Sequence, residues 1–596
     1  MAKFRLALYI VIIFSSTVPA QYLWTYEEYA KMCAPTIECN VTNKYRTIDG
    51  SCNNLRIPWL GATNTPHLRI LDAYYDGDYQ FRKQADGSPL PNAREIQIKL
   101  FLDKQSRFLE NDNNVLFMQW GQFIAHDVTL LAPFTSTDEG CCDQQNQNPV
   151  PIECQAVIPV PENDPVYSKQ GQTCINFNRA ATSAAQGCPL KPTTYILSTT
   201  HFIDGSLIYG MDDKTAANLR SFEAGRLRSE FNSDHMEFCP QLNRGDSLKC
   251  STSKNSSVCY FTGDPRGNQN LVTVLFQNAF LRFHNVVASH LSRLNQHWCD
   301  ETLYQEARRF VIAVIQYITY TQYLPILLGT EFNVINNQPI YNDRVDPSTS
   351  LEFASGAFRT LHQEIPSTLN LKDDRQVLLT DWMNKPELLP ISDNFDGFLY
   401  GFVNQNTRAE QPSFNPHISS YLFQQLTPTL KGQDLLTADI QRGRDTGVPP
   451  YNKMRLVCGI PEAESFDDLG DLIADEDVEK LKELYSCVDD IDFIVGALLE
   501  KQIEGAKVGP TAKCIISNSF YRYKAGDRFF YDVLGQPGSF TPDQIQTLKS
   551  ITFGNVICAT SGLQSLPEDI FIAPNRFTEQ YSCEHFPLDL KAWKEN

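Results

Sequence analysis

Gln119-Trp120-Gly121-Gln122-Phe123-Ile124-Ala125-His126-Asp127 is the stretch whose reading decides the fold. It lies in a run, Asn114 to Leu131, in which the apolar residues Val115, Leu116, Phe123 and Val128 recur at helical spacing among polar groups. Gln122 and His126, four apart, then share one helix face. Asp127 is turned about 100° from that face. One helix thus offers an imidazole to one site and a carboxylate to another. A lone histidine on a helix is also an ordinary core residue, so the rest of the chain has to decide between the readings.

Working outward, the regular signals are again helical. Leu271 to Leu294 continues for about six turns, and Glu301 to Leu328 has the same character and meets Pro325 near its end. Pro366 stops the series Phe358, Leu361, His362, Ile365, and a helix ending there presents those four side chains on one face. Strand-like alternation is scarce, so the expected class is mainly α with little β. Internal repeats, heptads and linker-like tracts are absent from the sequence. Stretches rich in Pro, Gly and Cys, Cys141 to Pro165 and Cys239 to Gly263, read as disulfide-pinned surface loops.

The first 20 residues read as a signal peptide: Lys3 and Arg5, an apolar run Leu6 to Phe14, and a small-residue end Val18-Pro19-Ala20. Residues 21–596 are then the mature, secreted, extracellular chain, without a further uninterrupted apolar stretch near the ~20 residues of a membrane helix. The 17 cysteines suit disulfides in an oxidising compartment, with at least one left over. Asn40-Val41-Thr42 and Asn255-Ser256-Ser257 are glycosylation sequons. A net charge of -19 excludes nucleic acid and anionic membrane as partners held by charge. Length alone suggests about four domains, a count the motifs below argue against.

Thr200, Phe202, Asp204 and Ser206 alternate hydroxyl, carbonyl, carboxylate and hydroxyl oxygens, a set suited to calcium once Asp127 adds a second carboxylate. The same run also reads as a polar loop. Gly263-Asp264-Pro265-Arg266 ends a loop before the long helix and leaves a guanidinium near a helix N-terminus. Ala357-Phe358-Arg359-Thr360-Leu361-His362 and Ala438-Asp439-Ile440-Gln441-Arg442-Gly443-Arg444-Asp445 gather ionisable groups that salt bridges also explain. HExxH, P-loop and GxSxG motifs are absent.

Taken in order, WGQFIAHD, TTHFIDGSLIYG, GDPR, AFRTLH and DIQRGRD resemble the animal haem peroxidases, the myeloperoxidase and peroxidasin superfamily. Tyr45 to Asn54, Asp86 to Pro91, Tyr304 to Arg308 and Ala525 to Phe529 agree, and the likeness runs from about Tyr45 to Cys583. It implies one large haem-peroxidase domain. It also implies haem b on the proximal ligand His362, with His126 as distal base, Arg266 as its partner and Gln122 as a distal polar group. One calcium ion would be held by Asp127, Thr200, the Phe202 carbonyl, Asp204 and Ser206. A neutral imidazole moves a proton between the two peroxide oxygens while a guanidinium stabilises the charge that builds as their bond breaks. Asp439 stands where mammalian relatives carry an asparagine that accepts from the proximal histidine, and a carboxylate there should donate more electron density to iron. Arg359 and Arg442 are candidates for the haem propionates. Implied disulfides are Cys39 with Cys52, Cys250 with Cys259, Cys458 with Cys514, and Cys558 with Cys583.

The sequence departs from the mammalian members where they form two ester bonds to haem. Ala125 and Gln269 stand there, and Asn270 replaces the methionine of a sulfonium link, so haem is expected to be non-covalent with no thioether available. Lower oxidising power then points away from chloride, and toward hydrogen peroxide with phenolic, tyrosyl, catechol, iodide or thiocyanate donors, including cross-linking of extracellular proteins. The motif spellings resemble insect chorion or salivary peroxidases. Arg244-Gly245-Asp246 between Cys239 and Cys250 offers a different reading, a peroxinectin-like adhesion loop for an integrin. A catalytically silent peroxidase fold is a third.

Overall fold

The computed structural model describes residues 26–77, 79–102, 110–133, 140–191, 193–242, 258–330, 332, 340–408, 412–424 and 432–595. The signal-like segment, Arg244-Gly245-Asp246, Cys250 and the sequon at Asn255 lie outside them.

Helix α1, Val115–Val128, opens on Asn114, whose side chain accepts from the Phe117 N–H and donates to the Val403 and Ile570 carbonyls. It stops three residues before the expected Leu131. Thr129 turns extended, its hydroxyl taking the Ala125 carbonyl, and Leu131 pairs with Leu197 instead. Helix α2, Leu271–Leu294, is capped by the Asn270 side chain on the Thr273 N–H. Helix α3, Asp300–Ile318, passes into a π turn, Thr319–Tyr323, and a last short helix, Leu324–Leu328, with Pro325 in its first turn. The wider turn accommodates a residue that has no N–H to give. Among the described residues every sheet is two-stranded, so the molecule is mainly α.

Aromatic rings lock α1 to its neighbours. Trp120 and Phe123 of α1 meet Phe276 and Phe280 of α2, Phe553 and Phe571, with Phe123 stacked on Phe280 at 4.6 Å and Trp120 4.8 Å from Phe553. The indole N–H still finds a partner, Thr319 Oγ1 at 3.1 Å. This cluster belongs to one apolar core that runs from Ile70 to Trp593. Although it has no uninterrupted apolar run of membrane-helix length, Asp300–Leu328 is long and apolar enough by composition to cross a membrane. Its apolar window is 72% buried inside the protein, where α3 packs on α2, as a core helix does.

The His362 segment is a 3₁₀ helix, Ala357–Glu364, rather than an α-helix. Ile365 before Pro366 is extended, as a residue preceding proline prefers. Phe358, Leu361, His362 and Ile365 nevertheless all line one cavity. Helix α4, Leu435–Asp445, carries Asp439 beneath them.

Disulfides join Cys39 to Cys52, Cys458 to Cys514 and Cys558 to Cys583, and also Cys33 to Cys188, Cys141 to Cys154 and Cys142 to Cys174. The last two pin the Cys141 loop. Cys259 is disulfide-bonded, but Cys239 is a buried free thiol and pins nothing. Cys299 and Cys487 are free as well.

Candidate active site

The cavity between α1 and the 3₁₀ helix encloses about 1350 Å³, open mouth included. Gln122, Ala125, His126 and Arg266 line it from one side, and Phe358, Arg359, Leu361 and His362 from the other. Helical spacing brings Gln122 and His126 to this wall together, and the Asn270 side-chain N–H reaches Gln122 at 3.5 Å. Gly121 lets α1 come close: a Cβ there would sit 2.6 Å from the Tyr323 hydroxyl and 3.3 Å from Leu361.

His126 is 6% exposed. Its Nδ1 comes within 3.3 Å of Asp264 Oδ2, an approach too oblique for a full hydrogen bond. Burial, then the Arg266 charge, pulls the imidazole below its ordinary pKa and keeps it neutral. Arg266 donates from Nη1 to the Thr129 carbonyl at 2.6 Å and from Nη2 to the His126 carbonyl at 2.8 Å. Burial opposes the charge on Asp264, but Arg266 and His126 outweigh it and hold the carboxyl well below the carboxylate range. Asp264 was not singled out from the sequence. Its position two residues before Arg266 was the available signal.

Across the cavity His362 Nδ1 lies 2.6 Å from Asp439 Oδ2, so Nε2 is the ring nitrogen left for a ligand. Asp439 Oδ1 accepts from Arg359 Nη1 at 2.6 Å. Burial disfavours that carboxylate, yet His362 and Arg359 together keep its pKa low. Arg442 is not brought to the cavity wall. Its guanidinium, one helical turn on from Asp439 and close enough to Arg359 for the two charges to repel, pairs with Asp445, donates to the Asn178 carbonyl and covers the Phe177 ring.

Asp127 faces away from the cavity into a buried oxygen cluster. Its Oδ2 accepts from the Asp204 and Gly205 N–H groups at 3.0 Å and its Oδ1 from the Ser206 hydroxyl at 2.8 Å. The Thr200 hydroxyl donates to Asp204 Oδ1 at 2.9 Å and approaches the Phe202 carbonyl at 3.4 Å, while Asp204 Oδ2 is buried without a hydrogen-bond partner among the described residues. Burial, then Asp204, raises Asp127 to about 7, and burial raises Asp204 to about 6. Two carboxylates crowded in this way fit a hard cation. Gly263 ties the cluster to Arg266: a Cβ on it would fall 2.7 Å from the Ser206 carbonyl oxygen and 2.5 Å from the Gly210 nitrogen.

The animal haem peroxidase family model matches residues 45–571. This chain belongs to the animal haem peroxidase family. It is 36% identical over 588 residues to a peroxidase of Drosophila melanogaster, covering 94% of this chain and 84% of that one. It is 34% identical to the chorion peroxidase of Aedes aegypti (95% and 73% covered) and 33% identical to lactoperoxidase of Mesocricetus auratus (94% and 82%). Peroxidase A from Dictyostelium discoideum matches in structure with a TM-score of 0.72 at 25% identity, over 90% of this chain and 99% of that one. A fatty acid alpha-dioxygenase of Oryza sativa matches at 0.68 and 20% identity, over 89% and 87%, a likeness of fold alone. As an animal haem peroxidase the protein is an oxidoreductase that takes haem as cofactor and hydrogen peroxide and small donors as substrates.

Within this haem peroxidase Ala125, Gln269 and Asn270 all line the cavity, and none of the described lining residues is Asp or Glu. Asn270 is there as the cap of α2. Asn270 leaves no thioether at the position of the sulfonium link, but two methionines reach the cavity from elsewhere. Met118 of α1 and Met383, whose backbone pairs with Asn270, both line the wall. Sequence spacing could not show this, since Met383 arrives from a loop more than 100 residues downstream of Asn270.

Proposed function

We propose that this peroxidase binds its haem in the cavity with His362 as iron ligand, His126 as the base and Arg266 as the charge partner. One observation carries the reading: His126 and His362 line the same cavity, and each has a buried carboxylate at Nδ1, Asp264 at 3.3 Å and Asp439 at 2.6 Å. The walls fit the group. Apolar side chains such as Phe358, Leu361, Leu379, Ile418 and Leu435 make a cleft for a flat macrocycle, and His362 keeps Nε2 for coordination.

Bound there, haem supplies the electrons for peroxide cleavage and then withdraws them from donors. His126, neutral by burial, takes the proton of one peroxide oxygen and returns it to the other. Arg266 offers a fixed cation to the charge that builds between them. Gln122 adds an amide to the same wall. Arg359, which lines the cavity, and Arg442, whose charge acts on Arg359 from just behind that wall, are the propionate partners.

Asp127, Thr200, the Phe202 carbonyl, Asp204 and Ser206 hold one calcium ion, which anchors the end of α1 one residue beyond His126. That no described residue of the cavity wall is a carboxylate supports haem held without ester bonds, so acid-acetone should extract it from the polypeptide. The disulfides and the signal-like N-terminal segment support secretion, and the donors are phenols, protein tyrosines or small anions such as iodide and thiocyanate. The purified protein should show a Soret band and peroxide-dependent guaiacol oxidation that His126→Ala abolishes. A folded protein that refuses haem, or a His126→Ala variant with parental turnover, sinks the assignment.

A further inference from the structure

We propose that Asp264 is a positioning residue that aims both His126 and Arg266 into the cavity, an inference that rests on the reading of that pair given above. Asp264 is 1% exposed and does not line the cavity, so it acts through its neighbours. Its Oδ1 accepts from the Arg266 backbone N–H at 2.7 Å and from Nε at 3.0 Å. Its Oδ2 accepts from Nη2 at 2.8 Å and lies 3.3 Å from His126 Nδ1.

A guanidinium has five N–H donors. Asp264 takes one on Nε and one on Nη2, the His126 carbonyl takes the other on Nη2, and the Thr129 carbonyl takes one on Nη1. A single N–H on Nη1 is left to act in the cavity, so the carboxylate decides where the cation points. At His126 the same oxygen favours the tautomer with its proton on Nδ1, which leaves Nε2 as the basic nitrogen. Only a carboxylate serves both. An asparagine would keep the shape but turn an NH₂ toward either Arg266 or His126, each of which presents a donor there.

The test uses haem-loaded, calcium-loaded parent, Asp264→Asn, Asp264→Glu and His126→Ala. Four quantities are measured: the single-turnover rate with hydrogen peroxide, the rate of the following donor step, cyanide affinity from the Soret shift of the ferric protein, and haem content with the unfolding midpoint. For Asp264→Asn the peroxide rate should fall about 10²-fold, the low end of what a positioned acid–base group contributes. Cyanide affinity should fall about tenfold or more, because hydrogen cyanide must give its proton to the same imidazole before its anion is held. The donor step and haem content should stay within about twofold of parent. Asp264→Glu, with the charge kept but displaced by one methylene, should lie between the two.

Parental peroxide rate and cyanide affinity in Asp264→Asn would overturn the proposal. So would a parallel loss of both steps together with haem, which marks a merely structural residue. Should Asp264→Asn not fold, Asp264→Glu decides, and a full peroxide rate there overturns it. His126→Ala separates the two levels: if it leaves the peroxide rate unchanged the reading of the pair fails, and if it slows that rate while Asp264→Asn does not, this inference alone fails.

Discussion

Replacing Gly263 by alanine should disturb calcium binding and peroxide reactivity together without changing the identity of any candidate site residue. The added Cβ would lie 2.5 Å from the Gly210 nitrogen, 2.7 Å from the Ser206 carbonyl oxygen and 2.8 Å from the Ile208 carbonyl carbon, where ordinary contact begins at 3.4 Å. All three neighbours are backbone, so no rotamer change relieves the overlap and one of the two segments must move by roughly 0.6–1 Å. Overpacking of this kind costs about 1–3 kcal/mol, and rigid neighbours place it at the upper end. For a chain of this length, 3 kcal/mol lowers the unfolding midpoint by only ~2–3 °C.

The functional effect should be larger. One segment holds Asp204 and Ser206, the other Asp264 and Arg266, and a misplacement near 1 Å in a reacting group is worth up to about 10²-fold. Calcium titration of the stripped protein by calorimetry, with the single-turnover peroxide rate, reads both. Gly443→Ala in α4 is the control: its Cβ would meet only the Ser355 carbonyl oxygen, at 3.7 Å, so the change should be neutral or stabilise the protein by about 0.5–1 kcal/mol. Parental calcium affinity and peroxide rate in Gly263→Ala would refute the reasoning.

Complete removal of calcium by chelation at neutral pH should lower both the unfolding midpoint and turnover. Undiminished turnover of a haem-retaining, calcium-free protein would contradict the link between Asp127 and His126. Asp439→Asn should raise the haem reduction potential in a redox titration, since the neutral amide withdraws electron density from His362 relative to the carboxylate; no change, or a fall, counts against it. Burial lifts Glu500 from 4.5 to about 7. Between those values the folded chain keeps a proton that the unfolded chain has released, so stability is full below 4.5 and falls as pH rises through about 7, by up to ~3 kcal/mol. Glu500→Gln should flatten the midpoint-against-pH curve over that window, and an unchanged slope would show that another group sets it.

From the sequence alone came the helices around His126 and His362, the separation of His126 and Asp127 to different faces, and the order of motifs that marks the family. These are local properties: a helical period decides which neighbours share a face, and a proline decides where a helix stops. Four features needed the tertiary structure. They are the placement of Asp264 against both His126 and Arg266, the sharing of Asp439 between His362 and Arg359, the docking of Arg442 on Phe177 and the Asn178 carbonyl, and the arrival of Met383 beside Asn270. Each depends on segments far apart in the chain packing at a particular distance. That distance is set by the whole core, through contacts such as Phe123 on Phe280 and the bare backbone of Gly121 and Gly263, which no periodicity along the chain encodes.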